Sequence, residues 1–81
     1  MTQHVLKTDP MIWDAIASGE KRFELRRDDR NYQTGDLVVL YRGTHSTIPQ
    51  LHFRVGYILR DAVEWGLRAG FVTFQLEKVD G

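Results

Sequence analysis

Apolar residues alternate with polar ones, or cluster in short runs, in five stretches of the chain that are bounded by glycine or polar turn residues. Stretches of this length are typical of β-strands, because successive side chains of a strand point to opposite faces of a sheet. The pattern therefore predicts five strands: His4–Lys7, Lys21–Arg27, Leu37–Tyr41, Leu51–Leu59 and Phe71–Val79.

One stretch has the period of a helix instead. In Pro10–Ser18, Ile12 and Ile16 are one helical turn apart, and Trp13 lies beside them. This spacing gives an apolar stripe along one side of a helix. Gly19 follows where a left-handed C-terminal cap is expected. The spacing therefore predicts a short amphipathic helix over Pro10–Ser18.

The alternation also assigns faces to the strands. In the second strand, Phe23 and Leu25 share one face, which we predict to be buried. Its other face is polar and carries Arg22, Glu24 and Arg26. In the fourth and fifth strands the predicted inward residues are Leu51, Phe53, Val55, Tyr57, Leu59, Val72, Phe74 and Leu76.

The connections between the strands are rich in glycine and polar residues, which favour turns. They are Asp28–Asn31, Thr34–Asp36, the polar loop Gly43–Pro49, and Asp61–Gly70, a mixed segment in which we predict a short helical turn. Gly56 interrupts the fourth strand, and an isolated glycine in a strand marks a bulge or a bend. Asp36 follows a turn glycine, so we expect it to serve that turn.

Short alternating strands joined by glycine turns are typical of a small barrel. A chain of 81 residues permits one domain. We therefore predict a single domain over residues 1–81, of the α+β class but mainly β. In it, a small barrel of about five strands packs against one firm α-helix.

The composition narrows the class of protein further. There are 11 basic and 11 acidic residues, whereas proteins that coat nucleic acid non-specifically are strongly basic. There is no cysteine, which fits the reducing cytoplasm and excludes disulfides and thiolate metal sites. No apolar run approaches the roughly 20 residues that span a membrane. The opening MTQHVLKTDP lacks the basic and apolar regions of a signal peptide. We expect a cytoplasmic protein with no membrane partner.

Opposed charges are concentrated in the segment SGEKRFELRRDDR, Ser18–Arg30. Five of its residues are basic and four are acidic, although the whole chain is neutral. A solvated strand does not need such a cluster. The concentration predicts a local site for an anionic ligand, because a focused group of cations acts without a field over the whole surface.

Metal and nucleophile chemistry have little support in the sequence. His4, His45 and His52 lack the spacing of metal ligands, and Ser46 and Thr47 beside His45 offer only a weak nucleophile and base. There is no glycine-rich phosphate loop. We therefore predict no metal site and no cofactor.

The same segment carries a recognisable motif. A strand with Leu-Lys, a helix, SGEK, an alternating FELR strand, an Asp-Arg pair and GDLVVL follow one another. This order resembles the DUF3850 family, whose run is SGEKTFEIRxNDRxFxxGDxLxL, within the ASCH group of the PUA-like β-barrel superfamily. The matching residues are Leu6, Lys7, Ser18, Gly19, Glu20, Lys21, Phe23, Glu24, Leu25, Arg26, Asp29, Arg30, Tyr32, Gly35, Asp36, Leu37, Val39 and Leu40.

The resemblance is strong over the first half of the chain. Arg22 stands where the family's run has Thr, and Asp28 stands where it has Asn. A longer middle insert of the family is shortened here to Gly43–Pro49. The resemblance implies a PUA-like barrel that binds RNA or a nucleotide-like small molecule, linked to translation or RNA regulation.

The residues that the resemblance and the charge pattern select for ligand binding are Lys7, Lys21, Glu24, Arg26, Arg30, Tyr41 and Trp65. We expect Lys21, Glu24 and Arg26 on the floor of a cleft, with Lys7 near its rim. Arginine suits phosphate because its planar fork donates two parallel hydrogen bonds. The other aromatic residues are expected mostly in the core.

The remaining charged residues of the segment have structural interpretations. We expect Asp29 and Arg30 to pair within the turn, and the stem of Arg27 to cover apolar surface.

Whether the protein is an enzyme stays open at this point. Some relatives in the ASCH group hydrolyse N4-acetylcytidine or RNA, and Lys21 and Arg26 align with the former. Position 24 is Glu here, where that branch has Thr. If the chain is a hydrolase, Lys21 and Glu24 are the expected catalytic residues. A protein-interaction domain from a phage or mobile element is a further alternative.

Overall fold

A computed structural model describes residues 2–43 and 49–79 of the chain. The elements are β1 (Gln3–Thr8), α1 (Pro10–Ala17), β2 (Phe23–Arg27), β3 (Leu37–Arg42), β4 (Gln50–Leu59), a single 3₁₀ turn (Val63–Trp65) and β5 (Phe71–Lys78). Most of the predicted loop Gly43–Pro49, with His45, Ser46 and Thr47, lies outside the described residues.

The strands form one sheet in the order β1-β3-β4-β5-β2. β1 pairs with β3 in parallel, and the other neighbours are antiparallel. The sheet curls into a half-barrel whose two edges are β1 and β2. The prediction of a mainly β fold with five strands and one helix is confirmed. Within residues 2–43 and 49–79, no helix is long and apolar enough to cross a membrane.

The helix α1 is fixed at its start and along one side. The Asp9 carboxylate accepts a hydrogen bond from the Met11 backbone N–H at 2.9 Å, which caps the first turn. Trp13 and Ile16 are buried, and the Trp13 indole N–H donates to the Leu40 carbonyl at 2.9 Å. This bond ties α1 to β3. The helix therefore presents a fixed C-terminal end to the residues that follow it.

The predicted faces of β2 are inverted. Phe23 and Leu25 are 47% and 54% exposed, whereas Glu24 is buried at 3% exposure. Alternation separates the two faces of a strand but does not say which one faces the core. β2 is an edge strand, and its inner face looks across the gap towards β1. Polar side chains find partners there that a sealed apolar core would not supply.

The prediction of which β4 residues point inward is confirmed only in part. Val55 is buried, but Tyr57 is 68% exposed. The pairing with β5 shifts register between Val55 and Ile58, so the residues beyond the shift change sides. The bulge predicted at Gly56 is confirmed, and it is the reason that the prediction for Tyr57 is wrong.

A buried polar pair lies at the start of β1. His4 Nε2 is 2.8 Å from Asp36 Oδ2, and the Asp36 carboxylate also accepts hydrogen bonds from the backbone N–H groups of Gln33 and Thr2. Burial by itself raises the pKa of Asp36. These hydrogen bonds outweigh that effect and hold the pKa below its ordinary value of 3.8. Asp36 therefore joins the turn before β3 to the first strand.

We predict that Asp36 makes the stability of the fold depend on pH. Because the folded pKa lies below the unfolded one, the ionised carboxylate stabilises the fold above pH 3.8, and this contribution is lost as the pH falls through the folded value. Asp36→Asn should lower the free energy of unfolding at neutral pH by about 1–3 kcal/mol, the cost of disrupting buried hydrogen bonds. The difference from wild type should shrink in acid.

Urea unfolding across the acid range measures this difference. Asp61→Asn is the matched control, since Asp61 is exposed and its left-handed backbone suits asparagine. A gap between Asp36→Asn and wild type that stays constant with pH would contradict the assignment.

Candidate functional site

An open cleft of about 570 Å³ lies along the gap between the two edges of the half-barrel. We call it the seam cleft. Residues from β1, α1 and its N-cap, β2 and the segments on either side of β2 line it: Thr8, Asp9, Ile12, Lys21, Phe23, Glu24, Leu25, Arg26, Arg27, Asp29, Arg30 and Tyr32. The cleft is therefore built mainly from the charged segment and from the elements that face it.

Two arginine side chains cross the gap to β1. Arg26 Nη2 donates to the Lys7 carbonyl at 2.8 Å and to Thr8 Oγ1 at 3.2 Å. Arg30 Nη1 donates to the Val5 carbonyl at 3.4 Å. An edge strand leaves carbonyl groups without a ladder partner. The arginines supply donors at this edge and hold β2 and its following loop against β1.

Glu24 lies beneath these arginines with its side chain only 4% exposed. Arg26 Nε donates to Glu24 Oε2. Lys21 Nζ lies 3.7 Å from Oε1, which is ion-pair distance but longer than a hydrogen bond. Among the described residues, no hydrogen bond reaches Oε1. The carboxylate is therefore charge-balanced, yet one oxygen keeps its capacity to accept a bond from the cleft.

Lys21 is positioned by the end of α1. Its backbone N–H donates to the Ala15 carbonyl at 3.0 Å, which places the residue directly after the last helical turn. The side chain then reaches the Phe23 carbonyl, and its ammonium lies 4.4 Å from the centroid of the Phe23 ring. A cation is favoured at this end of a helix because the last carbonyl groups carry partial negative charge. The fold thus holds Lys21 at the boundary of the cleft.

Tyr32 closes the floor of the cleft. It is 1% exposed and its ring contacts those of His4 and Phe74, with centroids 4.6 Å and 4.9 Å apart. Burial raises the pKa of Tyr32, while the charges of Arg26 and Arg30 act in the opposite direction. No hydrogen bond joins its hydroxyl to any residue in the described part of the chain. In the described part of the chain, every fully buried side-chain polar atom has a partner, so the unpaired hydroxyl of Tyr32 must reach the solvent of the cleft, where it has bonding capacity for a ligand.

The loop that delivers Tyr32 to the cleft is anchored by Arg60, the residue directly after β4. Arg60 binds the Asp28 carboxylate through two nitrogens, at 2.8 Å and 3.2 Å, and its Nη2 also donates to the Tyr32 carbonyl at 3.1 Å. The predicted pair of Asp29 with Arg30 does not form in the described structure. Asp28 is the paired acid, because β4 brings Arg60 within its reach.

Apolar side chains form the walls of the cleft. Ile12, Phe23 and Leu25 all line it, and all are partly exposed to solvent. Exposed large apolar groups beside buried polar ones are common in ligand sites. The inversion of β2 thus gives the cleft an apolar wall, since the residues predicted for the core are turned outward.

Four of the predicted ligand residues come together in the seam cleft: Lys21, Glu24, Arg26 and Arg30. The side chains of Lys7, Tyr41 and Trp65 do not line it, although Arg26 binds the Lys7 carbonyl. Trp65 is exposed on the 3₁₀ turn and Tyr41 is half-buried on β3. Arg27 lies over the Phe71 ring at 5.4 Å, as predicted for a side chain that covers apolar surface.

Sequence reasoning did not single out Tyr32, Thr8 or Ile12 for this site. Tyr32 was one aromatic among several expected in the core. The available signal was its place two residues after Arg30, within the matching motif. No group of three or more potential metal ligands is found within residues 2–43 and 49–79.

We predict that Arg26 contributes strongly to stability because a lysine cannot reproduce its fork. Arg26→Lys keeps the charge but cannot bind Glu24 and the two acceptors on β1 together. The free energy of unfolding should fall by about 1.5–3 kcal/mol, the range for hydrogen bonds to charged groups. Urea unfolding measures it. Arg27→Lys is the matched control and should stay close to wild type; equal stability of the two variants would refute the role given to Arg26.

The comparisons with known proteins agree with the motif. Residues 3–76 match a family described as a domain of unknown function, DUF3850. Over 38 residues the chain is 40% identical to an uncharacterised 12.9 kDa protein in the GpA 3′ region of Escherichia phage P2. That alignment covers 47% of this chain and 35% of the phage protein, so the chain matches about a third of its relative. The family match extends over nearly the whole chain: this protein belongs to the DUF3850 family.

Proposed function

We propose that the seam cleft binds single-stranded RNA or a nucleotide-like small molecule. The observation that carries this proposal is a pair of oxygens, on two otherwise buried side chains, that have no hydrogen-bond partner among the described residues and that reach the open cleft. An ionised Glu24 carboxylate accepts hydrogen bonds and cannot donate one, whereas the Tyr32 hydroxyl can either donate or accept a hydrogen bond. Both groups line the same cleft. A nucleobase carries N–H donors and acceptors side by side along its edge, which is the complement of such a pair.

The surroundings of these two groups suit the rest of a nucleotide. The exposed ring of Phe23 and the methyl groups of Leu25 and Ile12 offer apolar contact to a base, and aromatic side chains commonly stack on bases in single-stranded readers. Arg27 and Arg30 also line the cleft and can meet phosphate oxygens. One site therefore presents polar groups for the base edge, an apolar surface for its face and cations for its phosphate.

Charge balance supports a small footprint. The cleft is lined by four cations, Lys21, Arg26, Arg27 and Arg30, together with the acids Asp9, Glu24 and Asp29. The protein is neutral overall and its cleft has nearly equal numbers of cations and acids, so the cleft can neutralise only a few phosphates. The dependence of affinity on salt should therefore be shallow, about −0.7 in logarithmic slope for each single-strand phosphate that is neutralised.

The fold supports the same proposal. A curled mainly β sheet with one helix agrees with the ASCH group of the PUA-like superfamily, to which the motif is similar. We propose that the chain belongs to this group, which lies within a superfamily whose domains commonly bind RNA. The cleft lies on the motif itself, which links the resemblance to a particular surface.

We predict that Tyr32→Phe weakens RNA binding without weakening the fold. The substitution removes a hydroxyl that bonds to no described residue, so the free energy of unfolding should stay within about 0.5 kcal/mol of wild type. The affinity for a short fluorescein-labelled single-stranded RNA should fall by about 0.5–1.5 kcal/mol, the net value of one hydrogen bond. Fluorescence anisotropy and urea unfolding measure the two quantities.

Tyr57→Phe is the control for this variant, because Tyr57 is exposed and lies outside the seam cleft. Unchanged RNA affinity in Tyr32→Phe would remove the hydroxyl from the proposed site.

We predict a second, larger effect at Lys21. Lys21→Ala removes the cation that faces Glu24 Oε1 and borders the cleft, so RNA affinity should fall by about 1–3 kcal/mol. Lys7→Ala is the matched control, since the Lys7 side chain does not line the cleft. Titration of both variants with the same labelled RNA gives the comparison. Wild-type affinity in Lys21→Ala would refute the proposal.

The same proteins distinguish binding from catalysis. Incubation with N4-acetylcytidine and with single-stranded RNA, followed by chromatography of the products, should leave both compounds intact. Turnover that disappears in Lys21→Ala would replace the binding proposal by a hydrolase in which Lys21 and Glu24 transfer protons. Capture of a protein partner that survives high salt, in the absence of RNA binding, would favour an interaction domain instead.

A further inference from the structure

A second cavity, also of about 570 Å³, lies beside the C-terminal end of α1 and opens over β4 and β5. We call it the basic cavity. Its floor is apolar and includes Leu51, Phe53 and Leu76, which pack against the core. Its rim carries Lys21, Arg22 and Lys78. The cavity thus combines an apolar floor that includes one aromatic ring with a rim of cations.

The charge of this cavity is unlike that of the seam cleft. None of its lining residues is acidic. Within the described residues, no carboxylate lies at ion-pair distance from Arg22 or Lys78. Arg22 Nε donates to the Gly19 carbonyl at 3.0 Å, which accounts for one of its N–H groups and directs the residue to the rim. Arg22 and Lys78 therefore give the rim positive charge that no carboxylate of the described residues neutralises.

Lys21 lines both cavities. Its ammonium lies 3.7 Å from the Glu24 carboxylate, and the residue is also part of the basic rim. A ligand that occupied the seam cleft alone would leave the charge of Arg22 and Lys78 unmatched. A chain with an anionic link between two planar groups would match both cavities and the lysine between them.

We propose that the basic cavity receives the neighbouring nucleotide of a single-stranded RNA whose first nucleotide lies in the seam cleft. This inference rests on the proposed function and adds a minimum length to the ligand. The linking phosphodiester lies at Lys21 and Arg22. The second base contacts the apolar floor at Phe53, and Lys78 adds to the positive charge on the rim around the linking phosphodiester. The ligand is then at least a dinucleotide.

Calorimetric titration with adenosine, cytidine, guanosine and uridine monophosphates and with the corresponding phosphorylated dinucleotides tests the proposal. A dinucleotide should bind about tenfold more tightly than its monophosphate, the factor that a further charge-assisted hydrogen bond supplies. Its affinity should also depend more steeply on salt, by about −0.7 in logarithmic slope for the added phosphate.

Single-residue variants test whether the tighter binding of the dinucleotide arises in the basic cavity. Lys78→Gln and Arg22→Gln should each reduce the advantage of the dinucleotide, and Lys78→Gln should leave the affinity for the monophosphates unchanged. Arg68→Gln is the matched control, because Arg68 is exposed and lies outside both cavities. Arg22 contributes a hydrogen bond near the end of α1, so Arg22→Gln can lose affinity by disturbing the fold. Lys78→Gln tests the basic cavity without removing that bond.

The outcomes separate this proposal from the one on which it rests. Monophosphates and dinucleotides that bind equally would overturn the basic cavity alone, and so would a dinucleotide advantage that neither variant reduces. The absence of any binding, by monophosphates, dinucleotides or RNA, would overturn the seam cleft and the basic cavity together.

Discussion

The bridge that Arg26 forms across the open side of the sheet is the interaction on which the site depends. The five strands leave β1 and β2 as separate edges, and Arg26 binds the buried Glu24 on one edge and β1 acceptors on the other. A buried carboxylate is costly without a partner, and an edge strand has unsatisfied carbonyl groups. One guanidinium meets both needs. The charged segment is therefore first a structural solution, because it holds the edges together through side chains in place of a backbone ladder.

The same solution produces a cavity. Side chains bridge the edges at a few points, so the space between those points stays open and is lined by the residues that made the bridge. Because Arg60 holds Asp28 and the Tyr32 carbonyl, the loop after β2 places Tyr32 at the bottom of this space. The bonding capacity left over, at Glu24 Oε1 and the Tyr32 hydroxyl, faces the opening. Stability and binding thus draw on the same few groups.

The sequence predicts the elements well because local patterns determine them. The helix ends at Ala17, one residue before its predicted limit, and the strand periods are recovered. The sequence pattern does not predict which face of β2 is buried, because that depends on whether the strand lies at an edge of the sheet. It fails at Tyr57 because a single bulge changes the side to which later residues point. Both errors concern tertiary context, which a period of two residues does not contain.

The candidate site also divides into residues that local sequence patterns identify and residues that only the tertiary structure brings together. The motif identifies Lys21, Glu24, Arg26 and Arg30, since they are close in sequence and share one strand and its loop. Long-range proximity decides the remaining members, and neither spacing nor residue type distinguishes the buried phenol of Tyr32 from an ordinary core aromatic. Conversely, Trp65 is exposed without lining the cleft.

The most direct test of the central claim is a map of backbone amide chemical shifts during titration with short single-stranded RNA. We predict that the largest changes cluster at residues 21–32 and at the facing junction of β1 and α1, from Thr8 to Ile12. Changes confined to the 3₁₀ turn at Trp65 and its neighbours, or no changes at RNA concentrations far above those of the protein, would contradict it.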